Sequence, residues 1–298
     1  MAEIIAPLTM AGEQTSLSSA HEKFVEYLKS QKRSISTILA YGKDIEQLVS
    51  FLDGKKITQA TSITSEHLDQ FKEDFIQKGY TLKSISRKIN SIKTFFRFLK
   101  SKGLVDEDPA TAVSHPKYEV KPPRILSKME YRALRDACRE DGRMAAIVEL
   151  MLQTGIRIGE LARLELSNIR ENEIYVKPYE SQPERTIPLN KAAREALNQY
   201  LSERPKTKNK AVFITKTGRP LLVRNIRTSI DRYFRIAGIE NAKVNDLRNT
   251  WLVYHLASGA SVVLLQKLAG HKRLSTTEKY LQFVKEKTGA EKVKLEEL

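Results

Sequence analysis

Residues 270–280 of this chain read GHKRLSTTEKY, which places His271 nine residues before Tyr280. Upstream, residues 154–161 read TGIRIGEL around Arg157, and residues 244–250 read VNDLRNT around Arg248. Two arginines can bind the oxygens of a phosphodiester, a histidine can hydrogen-bond or move a proton, and a tyrosine can attack phosphorus. Fixed guanidinium charge can stabilise the transition state of such a reaction, so this set of residues requires no metal ion.

Composition agrees with a polyanionic partner. The chain has 298 residues, enough for two domains, and a formal net charge of +15. Most of the excess positive charge lies in the second half, where the four residues also lie. The single cysteine excludes an internal disulfide and a cysteine-cluster zinc site. The first residues carry acids and no basic stretch, and no apolar run reaches the roughly 18 residues of a membrane span, so we expect a cytoplasmic protein that does not bind membranes.

Hydrophobic periodicity predicts four helices over residues 17–114, after a flexible tail at residues 1–16. Ser18 or Ser19 is the expected cap of the first helix, and Ser65 that of the third. Gly79 is expected to end the third helix. The fourth, over 82–100, has one apolar stripe of isoleucine, phenylalanine and leucine side chains at helical spacing.

Residues 81–103 contain seven basic side chains and no acidic one. A basic helix is often just a solvated surface, but surface helices usually mix charges of both signs. We therefore predict that this helix contacts DNA. The residues expected to do so are Lys83, Arg87, Lys88, Lys93 and Arg97.

Prolines interrupt the chain after this helix, so residues 115–123 are predicted to be an extended linker. A capping box formed by Ser127 and Glu130 opens the next helix and a second domain, 124–298. This domain is predicted to be mainly α with a small antiparallel β-sheet, with strands at 173–177 and 185–189 and a third near 211–214.

The order, the spacing and the sequence around Arg157, Arg248, His271 and Tyr280 resemble the tyrosine recombinases of the Xer and phage-integrase family. The resemblance extends from about residue 17 to residue 283. It implies an α-helical core-binding domain and an α+β catalytic domain that together clamp double-stranded DNA. It also implies site-specific recombination through a 3′-phosphotyrosyl intermediate and a Holliday junction, without metal, ATP or another cofactor.

The family acts as a tetramer on DNA, so the resemblance implies a homotetramer whose C-terminal tail, residues 281–298, packs on the neighbouring subunit. The biological role it implies is chromosome dimer resolution, integration and excision, or mobile-element resolution, with accessory proteins left open. In the family the first arginine binds the scissile phosphate and the glutamate matching Glu160 helps to position the site.

Two positions depart from the family pattern. The box H-x-L-R-H-T has asparagine at its first position here, so Asn245 can hydrogen-bond to phosphate but cannot take a proton. Family members carry a catalytic lysine in a β-hairpin turn, whereas this chain has Glu180 at the matching position. Lys177 is the only lysine of the hairpin and is the candidate acid for the leaving 5′-oxygen. The alternative is that Lys177 is an ordinary lysine at the edge of the strand.

Three other functions remain open at this stage. A type IB topoisomerase uses the same chemistry, although the Xer-like layout of both domains disfavours it. A DNA-binding protein without catalytic activity is conceivable because of Asn245 and the missing hairpin lysine. A basic scaffold would leave the order of arginine, histidine and tyrosine as coincidence.

Overall fold

The computed structural model describes residues 15–31, 33–119, 122–179 and 182–285. The chain divides into two compact units, Met1–Lys121 and Pro122–Leu298, each with its own hydrophobic core. The predicted tail at residues 1–16 and the predicted C-terminal tail fall largely outside the described residues, as does Glu180.

The first unit contains the four predicted helices. Their bounds are Leu17–Ser30 for α1, Ile35–Asp53 for α2, Ser65–Gln77 for α3 and Leu82–Ser101 for α4. Phe24 of α1 and Phe95 and Phe96 of α4 are fully buried, with the Phe24 and Phe95 rings packed edge to face at 5.2 Å. The apolar stripe predicted for the fourth helix is therefore the centre of this core.

Two of the predicted helix caps are wrong by one or more residues. The cap of α1 is Ser16, whose hydroxyl accepts a hydrogen bond from the Ser19 amide, and neither Ser18 nor Ser19 is the cap. The cap of α3 is Thr64 rather than Ser65, because Thr64 and His67 form a reciprocal capping box. Gly79, at a φ of 74°, follows the end of α3 as predicted.

The second unit is mainly helical with a two-stranded antiparallel sheet, as predicted. Its sheet pairs β1, Glu173–Val176, with β2, Arg185–Pro188, so that Val176 lies opposite Arg185. Its helices are α5 (Lys128–Ala137), α6 (Gly142–Thr154), α7 (Ile158–Ala162), α8 (Lys191–Glu203), α9 (Val223–Ile236), α10 (Val244–Ala257), α11 (Val262–Ala269), α12 (Leu274–Glu278) and α13 (Leu281–Lys285).

The prediction of a third strand near residues 211–214 is wrong. This segment makes isolated bridges from Ala211 to Glu165 and from Ile214 to Pro220, without a ladder. The Tyr200 hydroxyl donates to the carbonyl of Val212 and accepts from the amide of Ile214. A side chain therefore satisfies part of the buried backbone of this segment, while the Val212 amide and the Phe213 carbonyl bond to the backbone of Leu164 and Leu221.

Helix α6 lies at the centre of the second core and packs against α8 and α10. One site on this unit is formed where four elements meet. They are the C-terminus of α6, the N-terminus of α7, the strand β2 and the C-terminus of α11. Among the described residues, no helix is both long and apolar enough to cross a membrane.

Candidate active site

The C-terminus of α11 gathers three arginines from different parts of the second unit. The last carbonyls of a helix have no partner within it and carry the negative end of the helix dipole. Three consecutive carbonyls here each accept from a different guanidinium. The bonds run from Arg185 Nε to Leu268 O at 2.7 Å, from Arg248 Nη2 to Ala269 O at 2.6 Å, and from Arg157 Nη2 to Gly270 O at 2.8 Å.

Glu160 holds two of these arginines together. Arg185 binds both of its carboxylate oxygens, at 2.9 and 2.7 Å, and Arg157 donates to them from its side chain at 3.0 Å and from its backbone amide at 2.9 Å. Burial raises the pKa of Glu160, but the bonds and charges of Arg185 and Arg157 outweigh it and hold that pKa at about 2. Glu160 is therefore a fixed carboxylate that orients both guanidinium groups.

Two glycines allow close packing at this site. Gly270 lies in the left-handed region at a φ of 64°, and an added Cβ would lie 2.8 Å from Arg185 Nη1 and 3.1 Å from Arg157 Nη1. Gly155 has a φ of 61°, and its Cβ would lie 2.2 Å from the Trp251 ring. The Gly155 carbonyl also accepts a hydrogen bond from Arg248. The glycine of the L-A-G-H motif is thus required by the packing of the arginines, and that of the T-G-I-R motif by the packing of Trp251.

Arg248 is the most deeply placed of the three arginines. Burial, and then the neighbouring charge of Arg157, lower its pKa to about 9, so it still carries a positive charge at neutral pH. Its bonds to the carbonyls of Gly155 and Ala269 and to His271 use three of the five N–H groups of a guanidinium. Arg157 is more open to solvent, with 29% of its side chain exposed.

His271 is neutral, and its neighbours determine its tautomer. Its Nε2 lies 2.9 Å from Arg248 Nη2, which can only donate, so Nε2 accepts and Nδ1 carries the proton. Nδ1 in turn lies 2.8 Å from the Thr277 hydroxyl. Burial, and then the charges of Arg248, Arg157 and Arg185, lower the pKa of His271 to about 4.

Tyr280 lies in the same site as the arginines. Its ring is nearly parallel to the His271 ring, with centroids 6.5 Å apart, and its hydroxyl donates to Asn249 Oδ1 at 2.9 Å. Burial raises the pKa of Tyr280 more than Arg248 and Arg157 lower it. The arginines therefore do not by themselves ionise the phenol, which is protonated in this state.

Comparison with known proteins identifies the family. The sequence model of the phage integrase family matches residues 124–287, and that of the phage integrase N-terminal SAM-like domain matches residues 22–103. The chain belongs to the phage integrase family. The chain is 29% identical over 280 residues to a protein named tyrosine recombinase XerC from Listeria welshimeri, covering 89% of this chain and 93% of the relative. It is 31% identical over 278 residues to a XerC from Bacillus pumilus, covering 88% and 91%.

Solved structures of the family share the fold. A crystal structure of XerA recombinase is 25% identical, with a TM-score of 0.52, covering 92% of this chain and 99% of that chain. A lambda integrase dimer bound to a core site is 18% identical, with a TM-score of 0.75, covering 91% and 78%. These comparisons confirm the resemblance to tyrosine recombinases and the two-domain fold predicted from the sequence.

The two residues discussed as departures from the family pattern, Asn245 and Lys177, lie in different surroundings. Asn245 lies exposed in the first turn of α10, one turn before Arg248. Lys177 follows β1, and its ammonium binds the Glu165 carboxylate at 2.6 Å. Residues opposite each other in an antiparallel pair share a face of the sheet, so Val176 and Arg185 point to the same face. Lys177 is the next residue along the strand direction and therefore starts on the opposite face from Arg185.

On helix α4 of the first unit, the predicted DNA-contacting residues divide into two groups. Lys88 is buried, and its ammonium lies 3.0 Å from the carboxylate of Asp44 on α2, which also pairs with Arg87. A DNA phosphate could not reach the Lys88 ammonium without breaking this pair. Lys83 and Arg97 are exposed, and Lys93 is half-buried. Asp44, which comes from another helix, supplies the acid for two of the basic residues of this helix.

Sequence reasoning missed three residues of the site. Arg185 was predicted only as part of a strand. Its ion pair with Glu160 was missed because the two residues are 25 positions apart in the sequence. Asn249 and Thr277 lie inside the quoted motifs, where their contacts with Tyr280 and His271 depend on packing of separate helices. The signal for Asn249 was its place directly after Arg248 in the L-R-H-T part of the family box, where this chain has asparagine for histidine.

Proposed function

We propose that this protein is a site-specific DNA recombinase in which Tyr280 attacks the scissile phosphate of a DNA strand. The Tyr280 oxygen forms a bond to phosphorus, the bond from phosphorus to the 5′-oxygen breaks, and the 5′-oxygen leaves with a proton. The observation that carries the proposal is the meeting of Arg157, Arg248, His271 and Tyr280 around the end of α11.

Charge stabilisation by the arginines is the main catalytic effect in this proposal. The scissile phosphate gains negative charge in the pentavalent transition state, and preorganised donors in a dry site stabilise such charge. Arg157 is open enough to bind a phosphate oxygen while Glu160 keeps its guanidinium in place. Arg248 lies behind it, with N–H groups beyond those bonded to protein.

His271 changes role when phosphate binds. In the resting site its Nε2 accepts from Arg248. When Arg248 turns to a phosphate oxygen, Nε2 becomes free to hydrogen-bond the phosphate or to receive the Tyr280 proton. The phosphate charge also offsets the arginines that lower the pKa of His271. Asn245, exposed one turn before Arg248, supplies a further hydrogen bond to phosphate.

Lys177 is proposed as the acid that protonates the leaving 5′-oxygen. Its ion pair with Glu165 is exposed to solvent on both sides, and exposed pairs contribute little to stability, so the ammonium can leave Glu165 easily. A 5′-phosphorothiolate at the scissile bond leaves with little need for protonation. Lys177→Ala should therefore be slow on normal DNA and rescued on that substrate, whereas Glu165→Gln should cleave normally. Equal defects of Lys177→Ala on both substrates would remove it from the mechanism.

Recombination requires the reaction to run in reverse on a second strand. The phosphotyrosyl bond keeps the energy of the broken linkage, so attack by the 5′-hydroxyl of another strand rejoins DNA without ATP and gives a Holliday junction. One solved relative is a lambda integrase tetramer bound to a Holliday junction, and others are Tn1549 transposon integrases in complex with DNA. We propose the same partners here, duplex DNA and a homotetramer, with the C-terminal tail on the neighbouring subunit.

The biological role we propose is the resolution of chromosome dimers in the cytoplasm. The relatives named XerC cover most of the length of this chain, in both domains. Deleting the gene should leave a fraction of cells with unsegregated chromosomes, and removal of homologous recombination, which creates dimers, should suppress that defect. Normal segregation in the deletion strain, with loss of excision of a mobile element, would instead assign the protein to that element.

A nicked duplex tests the activity itself. When the short fragment beyond the nick diffuses away, cleavage cannot reverse and the covalent protein–DNA complex accumulates. We expect the complex with the wild-type protein in excess EDTA and none with Tyr280→Phe, although both bind DNA. DNA binding without any covalent product would favour a DNA-binding protein without catalytic activity, and cleavage that returns only with Mg²⁺ would contradict the metal-free mechanism.

A further inference from the structure

Asn249 links the Tyr280 hydroxyl to a buried carboxylate. Tyr280 donates to Asn249 Oδ1 at 2.9 Å, and Asn249 Nδ2 donates to Asp246 Oδ1 at 3.2 Å. The other Asp246 oxygen accepts from the Lys243 amide at 2.7 Å, which closes the capping box of α10. The chain of contacts therefore runs from the helix start to the phenol.

This arrangement sets the orientation of the Asn249 amide. A carboxylate only accepts hydrogen bonds, so the NH₂ group must face Asp246 and the carbonyl oxygen must face Tyr280. The bond to Asn249 exists only while the phenol keeps its proton, because an amide oxygen cannot take that proton near neutral pH. A tyrosinate at the same place would face the carbonyl oxygen with no hydrogen between them.

We propose that Asn249 is a positioning residue that holds Tyr280 in its protonated form before attack and so restrains DNA cleavage. The inference rests on the proposed function, since it assigns a role in the reaction of Tyr280. The bond to Asn249 stabilises the ground state and is lost when the phenol gives up its proton to attack phosphorus. An interaction of that kind raises the barrier of the chemical step.

Burial also keeps the Tyr280 phenol protonated, and the charged groups around it act in both directions. Arg248 and Arg157 face the phenol with positive charge and favour its ionised form, while Asp246 opposes ionisation from beyond Asn249. His271 is neutral and stacks beside the ring, and the Phe283 ring packs against it from α13. Among the hydrogen bonds of the described residues, the one to Asn249 is the bond that the Tyr280 hydroxyl makes.

Loss of the Asn249 amide should therefore accelerate cleavage. A neutral hydrogen bond of ordinary strength corresponds to a rate change of about threefold to tenfold. We expect Asn249→Ala to cleave a nicked duplex about threefold to tenfold faster than wild type in single-turnover reactions near neutral pH. Asn249→Asp keeps an acceptor at the same place and adds negative charge, so it should cleave more slowly than wild type.

The titration of Tyr280 gives a second readout that needs no DNA. The full-length protein labelled with 3-fluorotyrosine has eleven tyrosine signals, and the signal missing in Tyr280→Phe identifies Tyr280. In Asn249→Ala the midpoint of this signal should fall by about half to one pH unit, while the signal of Tyr254, exposed on the same helix, stays unchanged.

Asn249→Ala that cleaves no faster than wild type, or that leaves the Tyr280 midpoint unchanged, would overturn the proposal. Failure of the proposed function would look different. Wild type, Asn249→Ala and Asn249→Asp would then all give no covalent product, while the Tyr280 titration would still report whether Asn249 holds the phenol.

Discussion

Arg185 and Glu160 form a bidentate ion pair in which both side chains are more than nine-tenths buried, with distances of 2.9 and 2.7 Å. The pair connects the hairpin strand β2 to the N-terminus of α7, where Arg157 binds the same carboxylate. The hairpin, Arg157 and the end of α11 are therefore joined by one set of charged contacts rather than forming three separate features.

Breaking this pair should cost both stability and activity. Arg185→Ala leaves Glu160 with only Arg157, and loss of one partner of a buried pair costs about 3–5 kcal/mol. We expect a fall of about that size in the free energy of unfolding measured by urea denaturation. Lys191→Ala removes an exposed pair with Glu195 and should change stability by less than about 1 kcal/mol. Similar stability of both variants would show that the buried pair is not important for the fold.

Gly270 should be more sensitive to substitution than another glycine of the same backbone conformation. Gly270 and Gly238 have φ values of 64° and 66°, but only Gly270 has arginine atoms where a Cβ would be added. Both alanine variants are strained by about 1 kcal/mol or more at that φ. Gly270→Ala should in addition displace Arg157 and Arg185 and abolish cleavage, while Gly238→Ala should cleave normally. Equal cleavage by the two variants would contradict the packing described for the arginines.

Acid should destabilise the second unit in two steps. His271 has a folded pKa of about 4 against an ordinary 6.5, so between these pH values the unfolded chain binds more protons and the free energy of unfolding falls as pH falls. Glu160, with a folded pKa of about 2 against 4.5, extends the loss below pH 4.5. For His271 the slope is at most about 1.4 kcal/mol per pH unit. His271→Gln should lack the step between pH 6.5 and 4 in urea denaturation, and an unchanged slope there would argue against a buried neutral histidine.

Helix α4 should show two different effects of removing a lysine or an arginine. Arg97 is exposed, so Arg97→Ala should weaken DNA binding and reduce the salt slope of the binding constant by about 1. Lys88→Ala removes one of the two cations that pair with buried Asp44 and should lower the stability of the first unit without reducing that slope. Filter binding over a range of salt concentrations and thermal unfolding would measure the two effects. A reduced salt slope for Lys88→Ala would restore it as a DNA contact.

The sequence supported prediction of the fold class and of the meeting of two arginines and His271 with Tyr280, because the motifs lie in a defined order and the apolar stripes have clear periods. It did not support prediction of the Arg185–Glu160 pair or of the Asp44 contact with Lys88, since these join residues 25 and 44 positions apart. The prediction of a third strand failed for a similar reason, since contacts with residues outside the segment decide its structure. Tyr200 of α8 and Arg204, which follows the end of α8, donate hydrogen bonds to the carbonyls of residues 212 and 211. No local pattern of the sequence reveals these contacts.

The arginines are proposed to act by neutralising the charge of the scissile phosphate, and one substrate tests this role directly. A methylphosphonate at the scissile position replaces a charged oxygen with a methyl group. On normal DNA, Arg157→Ala should cleave about 10²–10³-fold more slowly than wild type, as for the loss of one oxyanion donor. On the methylphosphonate, single-turnover cleavage by Arg157→Ala should come within about tenfold of wild type, with Tyr280→Phe inactive on both substrates. An equally large defect of Arg157→Ala on the two substrates would contradict the account.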